Sequence, residues 1–151
     1  MDGQALRRAR LACGLSLDAL AEALGSGATR HQLIACVAGR CRPDPPRLVA
    51  LAKALDVPPE QLAGVKPYWA NLADLRHWAA LTAEAAAPSF GFSRWSLLRA
   101  EKTGQLPLFW GTRDAFVRIA AHCYARPHGI VLGALRRTEL RHATLASRLL
   151  G

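Results

Sequence analysis

The four cysteines, Cys13, Cys36, Cys41 and Cys123, show no C-x-x-C spacing and no histidine pair near them at ligand distance. That argues against the common zinc motifs, and no metal site is expected. Cys36 and Cys123 fall where small buried residues belong, in a reducing compartment. No run of 18 apolar residues occurs, and no basic-then-apolar leader opens the chain, so no membrane is expected and the cytoplasm is the default. No Ser–His–Asp arrangement, phosphate-cradling loop or carboxylate pair stands out. His77, His122, His128 and His142 have no carboxylate or nucleophile in view. The chain is therefore not expected to be an enzyme or to carry a cofactor. β-branched residues are few and alternating apolar–polar runs are absent, which leaves little from which to build strands.

Acidic residues are also scarce. The 151 residues hold 11 Asp and Glu against 20 Lys and Arg, for a formal net charge of +9. Such a balance favours a polyanionic partner. The excess is uneven: residues 1–64 carry eight basic against six acidic residues, and residues 65–151 carry twelve against five.

What is present is Ala, Leu and Arg in helical spacing, so the fold class is all-α. Gln4 to Cys13 forms a first helix, closed by Gly14. Ser16 caps a second, "SLDALAEALG", with Leu17, Leu20, Ala21 and Leu24 on one stripe and Gly25 at its end. The turn "SGA" leads to Thr29, which caps a third helix ending at Gly39. The loop "RCRPDPP" follows, then "RLVALAKAL" with Leu48, Leu51, Ala52 and Leu55 inward, and a short fifth helix in "DVPPEQLAG". These make a domain over residues 1–64, with a linker at 65–71.

The pattern then returns. Leu72, Arg76 and Leu81 stand at the spacing of Leu6, Arg10 and Leu15. Thr82 matches Ser16, Phe90 matches Leu24, Gly91 matches Gly25, Ser93 matches Thr29 and Leu97 matches Leu33. Residues 72–135 thus read as a diverged second copy, in which Pro88 shortens or kinks the second helix. Residues 136–151, "RRTELRHATLASRLL" and the final glycine, suit a basic C-terminal helix with Leu140, Ala143, Ser147 and Leu150 on one side. That helix could pack back, pair with another chain or lie along phosphates.

Through "LRRAR", "GLSLDALAEALG", "TRHQLIACVAGRCRP" and "RLVALAKALDVPPEQL", residues 4–63 resemble the phage lambda repressor-like helix-turn-helix family, the Xre family. The second copy resembles a degenerate member, so the whole is expected to be two tandem five-helix helix-turn-helix domains plus the C-terminal basic helix. Val37 stands where the family commonly has glutamate, a residue that the second copy keeps as Glu101.

The resemblance implies a sequence-specific binder of double-stranded DNA, a bacterial transcriptional regulator or repressor associated with the nucleoid. A homodimer, or an intramolecular pseudo-dimer of the two copies, would engage the duplex. A helix fits the major groove, where exposed side chains in its first turn reach base edges. The readers implied in the first copy are Arg30, His31 and Gln32, with Gln suited to adenine and Arg to guanine. His31 could equally be a surface residue without a contact. The helices capped by Ser16 and Thr29 have free amides that can meet phosphates, and Arg10 and Arg42 are phosphate candidates. In the second copy Ser93, Arg94, Trp95, Ser96 and Arg99 are the equivalents, with Arg76 for Arg10. Arg10 and Arg76 could instead be paired within the fold. Trp95 would touch a thymine methyl or sugar edge, or fill a contact between the copies, whereas Trp69, Trp78 and Trp110 read as packing residues. The rivals are a protein-interaction module such as an antitoxin or adaptor, and a non-specific coat on nucleic acid.

Overall fold

A computed structural model describes residues 1–25, 28–107 and 111–150, with Leu149 and Leu150 described by backbone alone. Gly27 of the first turn, Trp110 and the Leu150 side chain, all read above, lie outside the described residues. The described residues are helical, with no strand among them, and fall into two compact units, Met1–Lys66 and Pro67–Gly151.

In the first unit, α1 (Gly3–Ala12), α2 (Leu17–Leu24), α3 (Arg30–Val37), α4 (Pro45–Ala54) and α5 (Pro59–Ala63) follow in order. Each of the first four starts at a polar residue whose side chain accepts a backbone amide: Asp2, Ser16, Thr29 and Asp44. Prolines open α4 and α5, where the missing N–H costs nothing. Leu6, Leu20, Leu33, Cys36, Leu48, Leu51, Ala52, Leu55 and Leu62 form the core. Leu17, Ala21 and Leu24 are half-buried. α1 lies against α3 and α5, and α2 against α3 and α4. At Gly3 the approach is so close that a Cβ would run into the Val37 carbonyl.

The second unit opens with a 3-10 turn, Pro67–Trp69, and continues as α6 (Leu72–Trp78), α7 (Ala83–Ala86), a 3-10 segment (Ala87–Phe90), α8 (Arg94–Thr103), α9 (Arg113–Cys123) and α10 (His128–Leu150). Pro88 sits in the 3-10 segment, so the helix begun at Ala83 tightens after one turn instead of running on. Phe90, Phe92, Phe116 and Tyr124 cluster in the core, the rings of Phe90 and Phe116 being 5.0 Å apart. Tyr124 brings its hydroxyl inside, with no hydrogen-bond partner among the described residues. Trp78 is buried beneath the Arg126 guanidinium, 5.4 Å above its ring. Trp69, expected to pack, is instead 61 % exposed, and Cys123 is half-buried where a buried residue was expected. Nothing between Leu135 and Arg136 interrupts the helix, so the expected short fifth helix and the C-terminal helix are one element, α10. Arg137 on it donates from Nε and Nη2 to the Ala70 carbonyl, at 3.0 and 2.9 Å, tying the opening turn to α10. Beyond Glu139, Leu140, Ala143, Leu145 and Ser147 are exposed.

Left-handed backbone occurs at Gly14 (φ 64°), Gly25 (70°), Gly39 (71°), Asp56 (49°) and Gly64 (70°) in the first unit, and at Ala80 (59°), Gly91 (62°), Gly104 (75°), Gly111 (24°) and Ala125 (48°) in the second.

Candidate nucleic-acid interface

α2 and α3 are joined by a short connection, and α3 shows its first turn to solvent. Thr29 and Gln32 form a reciprocal capping box: the Thr29 hydroxyl accepts from Gln32 N at 3.2 Å, and Gln32 Oε1 accepts from Thr29 N at 3.3 Å. The box fixes the angle at which Arg30 and His31 leave the helix. Both are exposed. Arg30 Nε lies 3.4 Å from Asp18 Oδ1 in the first turn of α2, with both side chains largely in solvent. An exposed pair of that kind contributes about 0–1 kcal/mol, so Arg30 can exchange Asp18 for another acceptor at little cost.

Gln32 is placed differently from expectation. Its Oε1 also accepts from Arg47 Nη1 at 3.2 Å. Bidentate recognition of adenine needs both the carbonyl and the amide of glutamine. Gln32 would have to release the cap and Arg47 to provide them. Its role in this structure is to hold the start of α3.

The arginine expected on phosphate at position 10 turns inward. Arg10 Nη1 donates to the Leu15 carbonyl, bracing the turn between α1 and α2, and its Nε is buried without an acceptor among the described residues. Arg76 is a clearer correction. It is 4 % exposed, donates from Nη1 to the Leu81 carbonyl at 2.8 Å, and holds Glu101 through Nε and Nη2 at 2.6 and 2.9 Å. A guanidinium so enclosed and satisfied cannot reach phosphate. Its place is inside the fold, the alternative already open in the sequence.

Arg42 is exposed in the loop after α3, and Ser16 caps α2 by accepting from Ala19 N at 3.0 Å. Two further arginines escaped the sequence reading. Arg40 is exposed in the turn that closes α3, and Arg47 is the partner of Gln32. The run "GRCRPDPPR" was the signal, since it stacks three arginines just past the third helix. Arg30, His31, Arg40 and Arg42 are thus exposed at α3 or in the turn and loop that follow it, and Arg10 is not among them.

In the second unit, Ser93 caps α8 by accepting from Ser96 N at 3.1 Å, and the two hydroxyls lie 2.9 Å apart. Arg94 Nε is 2.6 Å from Glu84 Oε1, and its guanidinium sits 5.1 Å over the Trp95 ring. Trp95 is 72 % exposed, more than any other large apolar side chain of the described core and surface. Arg99 is exposed one turn on.

Among the described residues, no group of three His, Cys, Asp or Glu side chains could hold a metal ion, and no helix is long and apolar enough to cross a membrane. A core of five short helices in this order fits the helix-turn-helix class. Residues 3–64, nearly the whole first unit, match the family model described as a helix-turn-helix domain, and that segment is such a domain. No curated protein and no solved structure matches the chain.

Proposed function

We propose that the chain is a sequence-specific regulator of transcription that binds double-stranded DNA through its first unit. The observation that carries this reading is the first turn of α3, where a capping box holds exposed Arg30 and His31 at the start of a helix, the element that the width of the major groove admits. Arg30 reads a base edge after leaving Asp18, and His31 lies beside it. Arg40 and Arg42 meet phosphates, which position the domain without specifying sequence. The helix-turn-helix match over residues 3–64 supports the same conclusion.

The second unit is a diverged copy of the first. Its support is a set of paired details: Arg10 and Arg76 each donate to the carbonyl five residues on, Asp18–Arg30 and Glu84–Arg94 are corresponding ion pairs, and the left-handed turns correspond. Whether that copy reads DNA or mates with a protein turns on Trp95. Its exposure favours an interface, since an exposed indole is an anchor for a partner surface.

The test is selection from a random duplex pool by the full chain and by Arg30→Ala. A motif enriched by the wild type and lost by the variant supports the reading. Two unlike half-sites would mean that both units read, and a short palindrome would mean that two chains pair. Failure of the wild type to enrich any sequence would overturn the proposal.

A further inference from the structure

α3 ends in a turn that folds the chain back over the helix. Gly39 takes a left-handed φ of 71°, and the amides of Arg40 and Cys41 both donate to the Ala35 carbonyl, at 2.9 and 3.3 Å. The reversal sets exposed Cys41 beside buried Cys36, with their Sγ atoms 2.7 Å apart and both cysteines free. A disulfide spans about 2.05 Å, so the sulfurs need to close by well under 1 Å. They line a cavity of about 350 Å³ together with Gln32, Pro43, Arg47 and Leu51, which gives a small reagent a way in. Packing explains Cys36, a small apolar residue in the core. It does not explain a second thiol on the exposed side of the same turn. Cys13 and Cys123 make no sulfur–sulfur contact among the described residues, and the Cys13 thiol donates to the Leu55 carbonyl.

We propose that Cys36 and Cys41 are a thiol-oxidation site, closed to an intramolecular disulfide by a small hydroperoxide. Cys41 is the sulfur that the oxidant meets. As thiolate it attacks one peroxide oxygen, the O–O bond breaks, and Cys41 becomes a sulfenic acid while the released hydroxide or alkoxide takes up a proton. Cys36 then attacks the Cys41 sulfur. The S–S bond forms, the S–O bond breaks, and the leaving hydroxide accepts the Cys36 proton and departs as water. Two thiols lose two electrons, and the peroxide gains them. Burial first, and then the hydrogen bond with Cys41, push the Cys36 thiol up to about 12, so it stays protonated near neutrality and takes the second role. The bond would fasten the arginine-bearing loop to α3. That this tunes DNA binding rests on the function proposed above, whereas the thiol chemistry stands apart from it.

The full chain is treated with an equivalent of hydrogen peroxide, then unfolded, alkylated and digested with trypsin. Cleavage after Arg40 separates the two cysteines, while the Arg42–Pro43 bond resists, giving peptides 31–40 and 41–47. The expected product is these two peptides joined, two hydrogens lighter than their sum and separated by dithiothreitol, with Cys13 and Cys123 alkylated. Cys41→Ser, a change at an exposed position that leaves the core intact, should keep Cys36 fully alkylatable after the same treatment. Separate alkylated peptides from the wild type would overturn the proposal. So would sulfinic acid at Cys41, a Cys41 link between two chains, or oxidation of Cys36 in Cys41→Ser.

Discussion

Arg10 and Arg76, which the sequence pattern sets against each other, differ in what they face. Arg76 has two of its nitrogens on Glu101 and a third on the Leu81 carbonyl. Removing Glu101 leaves a buried guanidinium uncompensated, a loss that costs about 3–5 kcal/mol where one partner of an enclosed pair is deleted. Glu101→Ala should therefore unfold the second unit at much lower urea, and a transition unchanged within error would show the pair to be dispensable. Arg10 presents the reverse case. Its Nε is buried without an acceptor among the described residues, and the sequence pattern sets Val37 where the second copy has Glu101. Val37→Glu should raise the stability of the first unit by on the order of 1.5 kcal/mol, the scale of a hydrogen bond to a charged group. The gain should vanish when Arg10→Met is added, because the two changes act on one contact. A Val37→Glu variant equally stable with and without Arg10 would point to another cause.

At the scale of elements, local chemistry was the legible part. Ser16, Thr29, Thr82 and Ser93 cap helices in the structure because a hydroxyl one residue ahead of a helix accepts an amide two or three residues on, and nothing distant is needed. The effect of Pro88 was legible for the same reason. Side-chain direction was not. Arg76 looks like a surface arginine until α8 brings Glu101, 25 residues away, against it. Gln32 looks like a reader until Arg47 arrives from α4. The Cys36–Cys41 approach also needed the turn through Gly39, which the spacing of two cysteines does not display. Backbone fit at two element boundaries gives an opposed pair of substitutions. Gly3→Ala should destabilise the first unit, because its Cβ would meet the backbone of α3, which cannot swing aside as a side chain can. Ala80→Gly should stabilise the second by about 1 kcal/mol, since Ala80 holds a left-handed φ of 59° that glycine adopts without steric cost. Thermal unfolding of each variant reads both signs, and a stabilising Gly3→Ala would mean that α1 and α3 can separate freely.

For the whole molecule, the distribution of charge and the division into two units bear on how DNA is engaged. The first unit holds the helix-turn-helix domain and nearly balanced charge, whereas the larger basic excess lies after residue 64. Phosphate contacts release counterions, and each one adds about 0.9 to the slope of log affinity against log salt. A chain comprising residues 1–66 should then bind the selected motif with the same base preferences as the full chain but a shallower salt slope. Its preferences stay because Arg30 and His31 are in that segment. Its slope falls because Arg94, Arg99 and the arginines of α10 are gone. If the slopes of the two chains are equal, the second unit makes no phosphate contact, and exposed Trp95 and the bare outer face of α10 belong to a protein surface. If the short chain instead loses the motif altogether, sequence is read jointly, and both first turns, at Arg30 and at Arg94, are required.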